Sequence, residues 1–272
     1  MEADPGDVAR DRAFGDAASD VPAIPEPNGR SPAICDHRAV TDDVDLDEFG
    51  VFDNALLQRR WREMARELAP TLPGTWRLRG RGRSRVLVRE PIEWTVAWIG
   101  FSRSAFSESG WFMAAVEPLV KPTFSWALSF GLRMDEVRNG PKDVDLRDDS
   151  AARDLARFAH EAALAELDRW TVERLAGAAE KSLKRPLERR RPPHYWLMAP
   201  GWRVLLDTGS PREVFDEVVD FFGSRDLQEQ LPFYQDLCDR WESGGRPEAL
   251  AFLQSHRDHK LEAARLTTRP QG

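Results

Sequence analysis

Apolar residues recur along this chain at two spacings, and each change of spacing marks a change of element. Leu57, Trp61, Met64 and Leu68 stand three or four apart, which places them on one stripe of a helix. Asp53 precedes the stripe as an N-cap, and Pro70 and Pro73 end it. The period then shortens to two. Residues 76–79 and 85–89 flank Gly80-Arg81-Gly82 and predict a hairpin about a glycine turn. Over residues 93–101, Trp94, Val96 and Trp98 alternate with Thr95, Ala97 and Ile99, apolar enough on both sides for a central strand. Residues 111–116 predict the next strand. Phe124, Trp126, Leu128, Phe130, Leu132 and Met134 then alternate with Ser125, Ala127, Ser129, Gly131 and Arg133. That alternation predicts a strand over 124–134, at or next to the centre of the sheet, with its bulky side buried and its other side nearly bare.

The bare side calls for a partner with small side chains. An alanine-rich helix over 151–183 supplies it, capped near Asp149 or Ser150 and carrying Leu155, Phe158, Leu167 and Trp170. A basic connector over 184–193 leads to a second, late hairpin, with residues 195–199 and 202–206 as its arms and Pro200-Gly201 as its turn. Three helices close the chain: 211–222, 226–242 with a break near Pro232, and 247–266 with Pro247 at its first position. The expected fold is therefore α+β, a mostly antiparallel sheet of four to five strands after one helix, covered by C-terminal helices.

Charge alters the picture at the N-terminus. Residues 1–50 hold 13 Asp and Glu against 4 Arg, a net of −9. The whole chain carries −7, so the remainder is close to neutral at +2. Residues 1–45 also lack bulky apolar side chains and are expected to form a disordered acidic tail, followed by a single domain over 46–266 and a short disordered tail over 267–272. The acidic start is unlike a signal peptide, and the longest apolar stretch, residues 94–101, falls far short of the ~20 residues that span a bilayer. These features predict a soluble cytoplasmic protein without a membrane partner. Cys35 and Cys238 show no paired spacing, so neither a disulfide nor a zinc site is expected.

Candidate chemistry is sparse. Val204-Leu205-Leu206-Asp207-Thr208-Gly209-Ser210 resembles the Asp-Thr-Gly-Ser signature of aspartic proteases, and the resemblance implies a homodimer in which two copies of Asp207 share a proton. Against it, Ser210-Pro211-Arg212-Glu213 reads as a capping box, which makes Asp207 the end of a strand before a helix. Asp43, Asp45 and Asp47 imitate a calcium loop, but Glu48 stands where glycine is required and Asn54 where a bidentate Glu is required. His256, His259 and Glu262 share a helical face without a further ligand, and His160-Glu161 and His194-Tyr195 stand beside no nucleophile motif. No catalytic residue, metal ligand or cofactor is assigned.

The sequence favours a non-catalytic binding or regulatory protein that contacts another protein. Its candidate surface comprises Arg77, Arg79, Arg81, Arg83 and Arg85, which would share a face in one continuous strand, with Trp111 and Trp202 as interface anchors. The second reading is nucleic-acid binding by that arginine hairpin, and the third is a hydrolase built on Asp207. Arginine clusters carry limited weight here, because 34 of the 39 basic residues are Arg. The run Lys184, Arg185, Arg189, Arg190 and Arg191 is read as a solvated connector.

Overall fold

The structure, a computed structural model, describes residues 54–82, 85–103, 109–124, 126, 128, 130–185, 196–223 and 228–267. The acidic tail, Cys35, the Asp43 to Asp47 loop, the Asp53 cap, Arg83, Arg189 to Arg191, His194 and the extreme C-terminal tail lie outside the described residues.

The first helix, α1 (Asn54–Leu68), buries the stripe expected of it, with Leu57, Trp61, Met64 and Leu68 each no more than 8% exposed. A 3₁₀ turn, Ala69–Thr71, ends it at Pro70. Five strands follow: β1 (Thr75–Arg79), β2 (Val86–Glu90), β3 (Thr95–Arg103), β4 (Gly110–Pro118) and β5 (Gly131–Arg133). They form one antiparallel sheet in the order β1-β2-β3-β4-β5. The first hairpin and the central place of β3 are as the sequence predicted. Strand alternation sends Leu87, Ala97, Ile99, Phe112 and Ala114 to a core shared with α1, while Val86, Val88, Val96, Trp98 and Ala115 form a second apolar cluster.

The strand expected over 124–134 is corrected. Among the described residues of that stretch only Gly131–Arg133 forms a strand, and it lies at the sheet edge. Phe124, Trp126 and Leu128 instead pack, half-buried, against the Val86–Val88–Trp98 cluster, with Trp126 edge-on to Trp98 at 5.4 Å and to Phe124 at 4.9 Å. The period of two is real over Phe124, Trp126 and Leu128, which meet that cluster, whereas Phe130, Leu132 and Met134 pass to the core shared with α1. Gly131 matters for the edge itself, because a Cβ there would run into the Ala114 carbonyl.

The alanine-rich segment does cover the sheet, yet it is not one helix. It comprises α2 (Ala151–Phe158), a π-helical turn (Ala159–Ala163), α3 (Leu164–Arg169) and α4 (Val172–Leu183). Small buried side chains at Ala159 and Ala163 sit in the same core as Ala97 and Ala114. The helix breaks at Trp170 (φ −96°, ψ 68°), and Thr171 restarts it as an N-cap, its hydroxyl accepting from the Arg174 amide.

The late hairpin is also corrected: residues 199–206 form a helix, α5 (Ala199–Leu206). Pro200 occupies the first turn, where a missing N–H costs no helical hydrogen bond, and Gly201 lets the helix touch Val120. A 3₁₀ turn (Pro211–Val214) leads into α6 (Phe215–Gly223). The last helix, α7 (Leu231–Ala263), is broken at Gly245 (φ 65°), so Pro247 opens a second rod as expected. Pro232 stands in its first turn and breaks nothing. Trp196, Val204, Phe215, Val218, Tyr234 and Leu253 join these helices in a core of their own. No described helix is long and apolar enough to cross a membrane.

The far end of α7 is tied to the sheet by buried polar groups. Glu117, fully buried, pairs with Lys121 at 2.8 Å. Lys260, 6% exposed, donates to the carbonyls of Leu119 and Lys121. His256 donates to the Pro122 carbonyl at 2.9 Å. Burial, aided by the Lys121 charge and opposed by Glu117, lowers the Lys260 pKa from 10.5 to about 7. A depressed amine pKa means that between about pH 7 and 10 the unfolded chain holds a proton that the native state lacks, so stability rises with pH across that window. Urea unfolding at both ends of the window checks this. The rise is expected in the native sequence and is expected to flatten in Lys260→Met.

Candidate functional site

The break between α3 and α4 builds a basic cleft. Because Trp170 leaves the helical path there, its ring turns edge-on to Phe130 at 5.2 Å, and its indole N–H donates to Glu166 at 2.7 Å. Two guanidinium groups lie over the same ring, Arg169 at 5.6 Å and Arg174 at 5.8 Å from its centroid. Along α4, Arg174 and Lys181 stand seven residues apart on one helical face, and Arg185 follows just past the helix end. Gly177 and Ala178 form a low floor between them, and a Cβ at Gly177 would meet nothing within 4 Å. The resulting cavity has a volume of about 320 Å³.

Two features give this cleft binding character. The Arg174 guanidinium and the Lys181 ammonium have no hydrogen bond or ion pair with any described residue. Ser182, 2% exposed, also lines the cavity, and its buried hydroxyl has no hydrogen-bond partner. Arg169 is only weakly held, by Glu166 at 3.4 Å. By contrast Arg203, on α5, is fully engaged: it grips Glu180 through two bonds of 2.7 and 3.0 Å and reaches Glu213 at 2.8 Å, which raises its pKa further.

The structure disperses the residues that the sequence nominated. Arg77 and Arg79 both bind Glu90, Arg81 is exposed at the turn, and Arg85 offers its backbone carbonyl to the Trp61 indole at 2.8 Å. The five arginines therefore form no continuous row among the described residues. Trp111 donates to the Lys142 carbonyl at 2.8 Å and lies beneath Arg133 at 5.0 Å. Trp202 is 1% exposed and belongs to the core, so it is no surface anchor.

Asp207 ends a helix and not a strand. It is the C-cap of α5 in the left-handed conformation (φ 56°, ψ 43°), two-thirds exposed, with Arg246 at 3.9 Å. Glu161 lines a separate cavity with Met134 and Phe158 that Asp207 does not reach. His256 is held against Phe233 and the Pro122 carbonyl, and burial lowers its pKa. No group of three or more His, Cys, Asp or Glu gathers among the described residues. Burial pushes the Cys238 thiol up to about 11, which leaves it unreactive.

Ser210 does cap the following helical turn, accepting from the Arg212 amide at 3.1 Å, whereas Glu213 turns away to Arg203. Ser210→Ala is therefore expected to cost about 1 kcal/mol, and Asp207→Asn to stay within about 0.5 kcal/mol, by thermal unfolding. A catalytic Asp207 would show itself differently, as pepstatin-sensitive cleavage at acid pH that Asp207→Asn abolishes.

Sequence reasoning passed over Trp170, Arg174, Lys181 and Ser182 because it assigned the whole alanine-rich helix to covering the sheet. The available signal was basic residues seven and four apart with Gly177-Ala178 between them. Neither a protein-family model, nor a curated protein, nor a solved structure matches the chain.

Proposed function

We propose that this is a non-catalytic binding protein that contacts another protein by taking an anionic side chain into the Trp170 cleft. The observation that carries the reading is a pair of cations lining the cavity, Arg174 and Lys181, that make no hydrogen bond or ion pair with any described residue. Among the described residues the lining supplies cations, an aromatic ring and a hydroxyl, a donor set that supports recognition of an anion. A reducing, cytoplasmic setting fits Cys238, whose thiol is free and buried. The nucleic-acid reading has less support, since Glu90 already holds Arg77 and Arg79.

The test is fluorescence anisotropy with a labelled hexaglutamate peptide. Binding that weakens about tenfold in the doubly substituted Arg174→Gln, Lys181→Gln protein is expected, as is a decline with added salt. Equal binding by the native and substituted proteins would contradict the reading.

A further inference from the structure

We infer that the anion this cleft selects is a phosphate monoester on a side chain of the partner protein, a phosphorylated serine or threonine. The inference rests on the binding role proposed above and adds the chemistry of the ligand. A carboxylate offers two oxygens and satisfies one guanidinium fork. The cleft presents more: the forked donors of Arg174, the ammonium of Lys181, and the buried Ser182 hydroxyl. A phosphoryl group has three terminal oxygens and close to two negative charges at neutral pH, so it can engage all three donors at once.

The Ser182 hydroxyl discriminates most sharply. It lines the cavity without an acceptor of its own, so its burial is uncompensated and a ligand oxygen that reaches it supplies the missing bond. Trp170 contributes by holding the face of Arg174 over its ring, which leaves that guanidinium's N–H edge to meet oxygen. A cavity of about 320 Å³ has room for the group and the side chain that carries it.

The surrounding charges favour a single compact dianion over an extended polyanion. Glu173 and Glu180 stand one position before Arg174 and Lys181 on α4, and Glu166 holds the Trp170 indole. A nucleic-acid backbone laid along the helix would meet these carboxylates at each step. One phosphoryl group on a neutral peptide spans only the cleft, where Glu166 is already engaged by the Trp170 indole and Arg169.

The test is an NMR titration with three heptapeptides of alanine and glycine that differ only at the central residue: serine, phosphoserine or glutamate. Inorganic phosphate and a deoxythymidylate dodecamer serve as further arms. The phosphoserine peptide is expected to bind about tenfold more tightly than the glutamate peptide. Arg174→Gln with Lys181→Gln is expected to weaken both peptides. Ser182→Ala is expected to weaken the phosphoserine peptide alone, by about fivefold, with thermal unfolding confirming that each variant is folded. If glutamate binds as tightly as phosphoserine and both depend on Arg174 and Lys181, the phosphoryl assignment falls while the binding role stands. If neither peptide depends on those cations, both fall. Equal affinity for inorganic phosphate, or tighter binding of the dodecamer through the same cations, would overturn the protein-borne assignment.

Discussion

Replacing Trp98 by Ala is expected to cost about 3–5 kcal/mol, the range for deleting a buried aromatic side chain. Trp98 is 1% exposed on the central strand β3, opposite Val88 on β2 and Ala115 on β4. It also receives the edge of Trp126 at 5.4 Å. Its neighbours belong to strands fixed on both sides, so they have little freedom to close the cavity. Trp126→Ala is expected to cost about 1–2 kcal/mol, because that ring is only half-buried and lies outside the strand ladder. Urea denaturation of both variants measures the difference. Equal losses would restore the earlier expectation of a fully buried strand over 124–134.

Gly201→Val is expected to cost about 3 kcal/mol, toward the upper end for overpacking a core. A Cβ at this position of α5 would strike the Val120 carbonyl and come within 2.7 Å of the Val120 Cβ, and backbone cannot yield as a side-chain tip can. Gly177 provides the contrast. It is also helical, but its Cβ would enter open space, so Gly177→Ala is expected to stabilise by about 0.5–1 kcal/mol through helix propensity and a less flexible unfolded chain. If both substitutions are neutral in urea denaturation, α5 does not pack on the residues after β4 as described.

Gly201 also shows why part of the fold was hidden in the sequence. Periodicity identified α1, the first hairpin and β3, because each keeps one regular backbone geometry along its whole length, so its side chains fall on fixed faces. Residues 195–206 form an almost continuously apolar run, which carries no period, and Pro200-Gly201 within it has the composition of a turn. The same two residues open a helix and bring it close to Val120, a relation between distant segments that local pattern cannot report.

The alternation at Phe124, Trp126 and Leu128 was legible for a related reason and still misleading. Period two indicates that every second side chain meets one surface; it does not indicate that the backbone pairs with another strand. The cleft was hidden by a small event. One departure from helical geometry at Trp170, reset by the Thr171 cap, separates an alanine-rich face that covers the sheet from a basic face that opens on solvent. The arginine row is cut, since the pairing of Arg77 and Arg79 with Glu90 depends on strand register.

The central claim is that recognition occurs at the α3–α4 break. Mapping NMR chemical-shift changes on adding the phosphoserine heptapeptide tests it most directly, because the site is read residue by residue. The account predicts that the Trp170 indole and the amides of Arg174, Gly177, Lys181, Ser182 and Arg185 move together, while Arg77, Arg79 and Arg81 on the first hairpin stay fixed. Shifts concentrated on that hairpin, with the Trp170 indole unmoved, would contradict it.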